Sequence, residues 1–369
     1  MDLYKTLSLT AGIIFAATLA HADITYVCDS GIAASTCSFL NTTVAGQYKS
    51  TFSNANAVIY IQYGTTGLAS STTGFDNQVT YAQYVAALTA NTNQSAIDVS
   101  ALAALNFYDS MPYGAGNVDI TSALASALGL AGDVIGGNTG ITGPGGTSCS
   151  NPGTTGCYNG IITVTNDPGT PLYYDNQGGT EASDAYDFYS VVEHETDEIL
   201  GTASCISTTQ GAALSDGCPG TGTPSAVDLF RYNAPGTLAL DTAACIGTQS
   251  CPAGAYFSYD GGNTNGAIGD GGMPKVYNTL FAGGEDYADF LSSSPCQANQ
   301  AIQDAEGCPG EDAGLFITND GGAEINILNA VGYDLIGVPE PSTWALLGAS
   351  LALLAFLRLR NRDRQGADK

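Results

Sequence analysis

The sequence predicts an α+β fold whose N-terminal half is α/β-like and whose C-terminal part is turn-rich and stapled by disulfides. Three observations lead there. Ala57-Val58-Ile59-Tyr60-Ile61-Gln62-Tyr63 alternates β-branched, aromatic and small residues as a strand does. Helical patterns follow it over 80–89, 97–107 and 120–130. Beyond residue 202 the chain is dominated by Gly, Thr, Ser, Asn and Cys, the vocabulary of turns and short strands.

Taken in order, the glycine-rich stretch 136–146 lacks G-x-x-x-x-G-K-[ST] and the strand–loop–helix setting of a phosphate cradle. Gly160-Ile161-Ile162-Thr163-Val164-Thr165 is predicted as a strand and Leu172-Tyr173-Tyr174 as a second, short one. A helix is predicted over 183–200, with Phe188, Val191, Val192, Ile199 and Leu200 on its apolar side and Gly201 as its C-cap. Ala255 to Tyr259 should be a strand entering the turn Asp260-Gly261-Gly262, and Glu324 to Val331 a last helix. Asp260 to Gly266 and Asp270 to Gly272 miss the D-x-[DN]-x-[DN]-G register of a calcium loop, so a hairpin turn is expected. No repeat and no second separable core is visible.

Both ends carry sorting features. Residues 1–22 have Lys5, an apolar run from Leu7 to Leu19 and the triplet Ala20-His21-Ala22, the pattern of a secretory signal cut before Asp23 by signal peptidase. At the other end, Val338-Pro339-Glu340-Pro341-Ser342 precedes a short apolar segment, 344–357, and Arg358, Arg360, Arg362 and Arg364. Fourteen residues are short for a bilayer, where roughly 20 are usual. Flanking arginines would stay cytoplasmic and leave the rest of the chain outside.

The intervening domain, 23–337, has 31 acidic residues against Lys49, Arg231 and Lys275. That balance argues against nucleic acid and anionic membranes as partners and favours basic substrates or divalent cations. All ten cysteines lie in this segment, an even number in an oxidising compartment, grouped as if to close loops 28–37, 149–157, 205–218, 245–251 and 296–308. There is no C-x-x-C, so neither a cysteine zinc site nor a redox centre is expected.

The residues with chemistry to offer lie in VVEHETDEILG, Val191 to Gly201. His194 and Glu198, four apart, share a helix face and suit a zinc ion or another divalent cation. Glu195 stands where a general base would take a proton from metal-activated water attacking a peptide carbonyl. Once the signal is removed, His194 is the only histidine, so carboxylates, backbone oxygens or water must complete any site. It also rules out serine catalysis, since no second histidine can act as base and no G-x-S-x-G occurs. A solvated acidic face is the competing account of Glu193, Glu195, Asp197 and Glu198. Acids at a helix C-terminus oppose its dipole and repel each other at i, i+3 and i, i+4, a cost that a cation removes.

The tail resembles the PEP-CTERM sorting signal of Gram-negative bacteria, which implies recognition by an exosortase and release or display at the cell surface. VVEHETDEILG resembles the active-site helix of zincin metallopeptidases. With DLFRYNAPG, AYFSYDGG and LNAVGYDL it resembles secreted zincin-like proteins bearing such tails, over roughly 55–335. The resemblance implies a zincin-like architecture, His194 and Glu198 as ligands, Glu195 as base and a peptide or protein substrate. Departures are Glu198 in place of the second histidine, charged Asp197 in place of an uncharged residue, and Ser204 where metzincins keep a third histidine. Asp228, beside the domain's only arginine, is the candidate third ligand, with a structural Asp228–Arg231 pair as its alternative; Glu285, Asp286 and Asp289 form a rival cluster. Met273, in a glycine-rich loop, is a weak sign of a Met-turn. The other functional class compatible with these features is a non-catalytic surface protein binding exopolysaccharide on a degenerate scaffold.

Overall fold

A computed structural model describes residues 22–65, 67–73, 77–91, 94–106, 116–174, 182–205, 223–240, 255–264, 286–290, 292, 301–310 and 322–336. The signal segment before Ala22, the tail 338–369, Glu285, Met273, Asp270 to Gly272, and Cys218, Cys245, Cys251 and Cys296 lie outside the described residues. Among the described residues no helix is long and apolar enough to cross a membrane.

The fold is α+β. Strand β1 (Asp23–Cys28) is followed by a helical run of α1 (Ala34–Phe39), a π-helical turn (Leu40–Val44) and α2 (Ala45–Thr51). Then come β2 (Asn56–Gly64), β3 (Ala69–Thr73), β4 (Asn77–Thr80), α3 (Tyr81–Ala90), α4 (Ala96–Asn106), β5 (Asn117–Ile120) and α5 (Ser122–Ala127). The hairpin β6 (Gly140–Thr142) and β7 (Thr147–Cys149) leads to β8 (Gly160–Thr165), β9 (Leu172–Tyr173) and β10 (Tyr186–Asp187). Helix α6 (Phe188–Asp197) runs into a π-helical turn, Glu198–Thr202. A 3₁₀ turn (Val227–Phe230), β11 (Arg231–Ala234), β12 (Thr237–Leu238), β13 (Tyr256–Phe257) and α7 (Ala323–Val331) complete it.

The main sheet has the order β1-β2-β8-β3. β1, β2 and β8 are parallel, and β3 lies antiparallel to β8 as one edge. Ile59, Ile61, Ile162 and Val164 share one face of its two inner strands and are fully buried, while Tyr60 and Ile161 on the opposite face pack with Ile141 and Tyr158; both faces are covered, which explains the β-branched and aromatic composition. The π-helical turn that extends α6 is packed on this sheet so closely that a Cβ on Gly160 would lie 2.4 Å from Ile199 Cγ1. Only glycine lets the turn approach β8 at that point.

Several sequence expectations hold in place. Strand 57–63 is β2, 160–165 is β8, the helix over 80–89 is α3, and 324–331 is α7. The start of α3 is set by a capping box between Thr80 and Gln83. Two expected helices differ. The segment 120–130 divides into the end of β5 and a short α5, because Thr121, in extended conformation, caps the helix through Leu124 N. The helix expected over 183–200 begins five residues later, where the Asp187 side chain accepts hydrogen bonds from Tyr189 N and Ser190 N. Asp260 behaves as a turn residue, as expected: its Oδ1 accepts from the Ser258 hydroxyl and from Asn263 N and Thr264 N.

Disulfides join Cys28 to Cys37 and Cys149 to Cys157, as their spacing predicted. Cys205 and Cys308 are also disulfide-bonded.

Candidate metal centre

The acids of α6 are not a solvated face. Glu193 and Asp197 are fully buried, and Glu195 and Glu198 are 6 % and 8 % exposed. They divide between two sides of the helix. On the side packed against β1 and α2, Tyr48 donates its hydroxyl to Asp197 Oδ1 at 2.7 Å and contacts the Glu193 carbonyl, while Tyr26 and Thr196 share a hydroxyl–hydroxyl bond. The charged residue that sets Asp197 apart from the zincin pattern thus faces a buried phenol, away from His194.

On the other side, His194, Glu198 and Asp289 each present one ligand atom, and these lie within 4.8 Å of one another. His194 Nε2 is 3.5 Å from Asp289 Oδ1 and 3.8 Å from Glu198 Oε1. A tetrahedral ion with bonds of ~2.0–2.1 Å separates its ligand atoms by roughly 3.4 Å, so the group is close to the spacing zinc needs. Nδ1 of His194 lies 2.8 Å from the Ile302 carbonyl oxygen, which can only accept. In the neutral imidazole Nδ1 therefore carries the proton, and Nε2, turned toward both carboxylates, has the lone pair that a metal would take. The chemistry of these donors, one imidazole and two carboxylates, fits zinc and also harder divalent ions.

Ser71, on the edge strand β3, serves two of the acids: its hydroxyl donates to Glu198 Oε2 at 2.6 Å, and its backbone N–H reaches the Glu195 carboxylate. Burial pushes the Glu195 carboxyl well above the usual carboxylate range; the Glu198 charge and hydrogen bond and the Asp289 charge add to this, against the Ser71 N–H. Asp289 and Asp286 are raised by burial first and by the charge of Glu198 next. Crowding carboxylates in this way opposes their ionisation, and a bound cation reverses that opposition.

The turn after the helix is fixed from outside. Gly201 has φ 134°, a conformation that disfavours any side chain. The Leu200 carbonyl accepts from the Thr121 hydroxyl and the Tyr333 hydroxyl, satisfying an end that the helix cannot. Ser204, at the position of the metzincin third histidine, donates its hydroxyl to Asp228 Oδ1 at 2.6 Å and its N–H to Asp286 Oδ1.

The structure brings three predicted site residues, His194, Glu195 and Glu198, to one place. Asp228 is not in the group that could hold a metal ion. Its carboxylate accepts from the Ser204 hydroxyl, Cys205 N, Ser225 N and the Ser225 hydroxyl. Neither does Arg231 turn to it in those bonds: the guanidinium donates to the Tyr287 carbonyl and lies 5.9 Å from the Tyr287 ring centroid. The third donor, Asp289, comes from the rival cluster. Ser71, Ile302 and Gln303, which hold or flank the donors, have no sequence signal; a serine in a strand and a backbone carbonyl look like any other. The chain gives no match to models of known families, to curated proteins or to solved structures.

Proposed function

We propose that the chain is an exported, metal-dependent peptidase with a zincin-like site. The observation that carries this reading is the convergence of His194 Nε2, Glu198 Oε1 and Asp289 Oδ1 beside Glu195. These three residues would hold the ion, with Asp289 in the place the sequence pointed to Asp228. When bound, zinc supplies Lewis acidity and draws water towards ionisation near neutral pH.

Glu195 holds the proton taken from the attacking water and returns it to the leaving amine. A group in this role must accept a proton and later give it up, so it works best with a pKa near the working pH. Ser71 orients both carboxylates from β3. The edge position of β3 supports a peptide substrate, because an extended chain can add to an open strand edge and lie beside the site. The two terminal signals support export, signal-peptidase cleavage and exosortase processing, with extracellular or surface display in a Gram-negative cell.

Purified protein reconstituted with zinc should cleave an unfolded protein substrate and lose that activity to a chelator. Glu195→Gln should lower kcat by about 10²–10⁴-fold with zinc content unchanged. Activity surviving that substitution would remove Glu195 from the role. Stoichiometric zinc without turnover on any peptide would instead favour the exopolysaccharide-binding surface protein.

A further inference from the structure

The segment 301–305 packs beside the candidate metal centre without supplying any of its three donors. Its Ile302 carbonyl holds His194 Nδ1. The next residue, Gln303, is 1 % exposed and sits where the loop of Asp289 meets the turn that carries Glu198.

Three polar atoms of Gln303 are engaged. Its Oε1 accepts from the Thr202 hydroxyl at 3.1 Å, at the end of the π-helical turn that carries Glu198. Its N–H donates to Glu324 Oε1 at 2.9 Å, and its carbonyl accepts from Phe290 N at 2.7 Å, one residue beyond Asp289. Glu324 is fully buried in the first turn of α7, where the helix dipole favours its charge. One residue therefore ties together the three elements that bring His194, Glu198 and Asp289 to one point.

We propose that Gln303, anchored by Glu324, is a positioning residue of the metal centre. It fixes the loop of Asp289 through the Phe290 N–H on its carbonyl, the turn of Glu198 through the Thr202 hydroxyl on its Oε1, and the ring of His194 through the adjoining Ile302 carbonyl. This rests on the reading of His194, Glu198 and Asp289 as ligands. Partners of this kind set ligand orientation and basicity, and losing one costs metal affinity even though every ligand remains.

The test is zinc affinity of the purified full-length protein by competition with a chromophoric chelator, beside the thermal midpoint of each metal-free form. Gln303→Met keeps the volume and removes the amide; it should weaken zinc binding about ten- to a hundredfold. Glu324→Ala should weaken it in the same direction, and Glu324→Gln, whose carboxamide oxygen can still accept from Gln303 N, should recover most of the loss. A merely structural role would lower the metal-free midpoint and leave zinc affinity untouched, which would overturn the proposal. Zinc binding unchanged by His194→Ala would overturn the ligand assignment as well; binding that is lost in His194→Ala but intact in Gln303→Met would overturn the positioning role alone.

Discussion

Asp228 and Asp289 are both buried, both raised above the ordinary carboxylate pKa by burial, and both on loops that close over the end of α6. They differ in what surrounds them. Asp228 takes four hydrogen bonds from Ser204, Cys205 and Ser225, and both of its oxygens are used. Asp289 accepts from Asp286 N on Oδ2 and turns Oδ1 to the imidazole of His194. A carboxylate saturated by donors of its own loops acts as a brace, whereas one that faces an imidazole and a second carboxylate is arranged as a metal ligand would be. Burial alone does not distinguish the two; the direction of the second oxygen does.

The largest effect should come from the ligand side of that pair. Asp289→Asn removes one charged donor of three, and zinc-site free energies of ~10–16 kcal/mol shared among about four ligands imply a loss of roughly a hundred- to a thousandfold in affinity. Chelator competition reads this directly, and an unchanged affinity would put Asp289 in the same class as Asp228. Asp228→Asn should behave in the opposite manner. Placing an amide among four donors leaves a buried mismatch worth about 1–3 kcal/mol of stability, with zinc affinity of the folded protein preserved. A denaturant titration with and without zinc separates the two quantities, and loss of zinc with little change in stability would return Asp228 to the ligand set.

The smallest effect concerns a buried acid remote from both loops. Asp98, in α4, accepts from Ser95 N and from Asn329 Nδ2 in α7, yet burial holds its pKa above the ordinary value. A raised folded-state value means that the native protein binds this proton more tightly than the unfolded chain. Its contribution is complete below the unfolded pKa of about 3.9 and is lost as pH rises through the folded value. Thermal midpoints of wild type and Asp98→Asn between about pH 3.5 and 6 should therefore diverge, the wild type losing ground relative to the variant as pH increases. Parallel curves would show that Asp98 titrates alike in both states.

What was legible in the chain follows from how local each cause is. β2 and β8 announce themselves by composition, α3 by its Thr80–Gln83 box, and the two short disulfides by spacing. The His194, Glu195 and Glu198 group is legible because helix periodicity puts i and i+4 together. The late start of α6 was hidden because Asp187 had to be recognised as a cap within a polar stretch that also reads as helix. Burial of Glu193 and Asp197 was hidden because nothing nearby in sequence foretells Tyr48, which lies 149 residues from Asp197.

The sequence by itself determined the α+β class, the helix that bears an imidazole and a carboxylate on one face, and the rule that a lone histidine must be completed by acids. These depend on periodicity, composition and count, which tertiary contacts do not alter. Only the tertiary structure decided that Asp289 meets His194, that Ile302 directs its lone pair, and that Asp228 is enclosed by Ser204 and Ser225. Asp289 and Ile302 lie about a hundred residues from His194, and which of many acids arrives there is set by the packing of the loops 286–290 and 301–305 on each other and on α6.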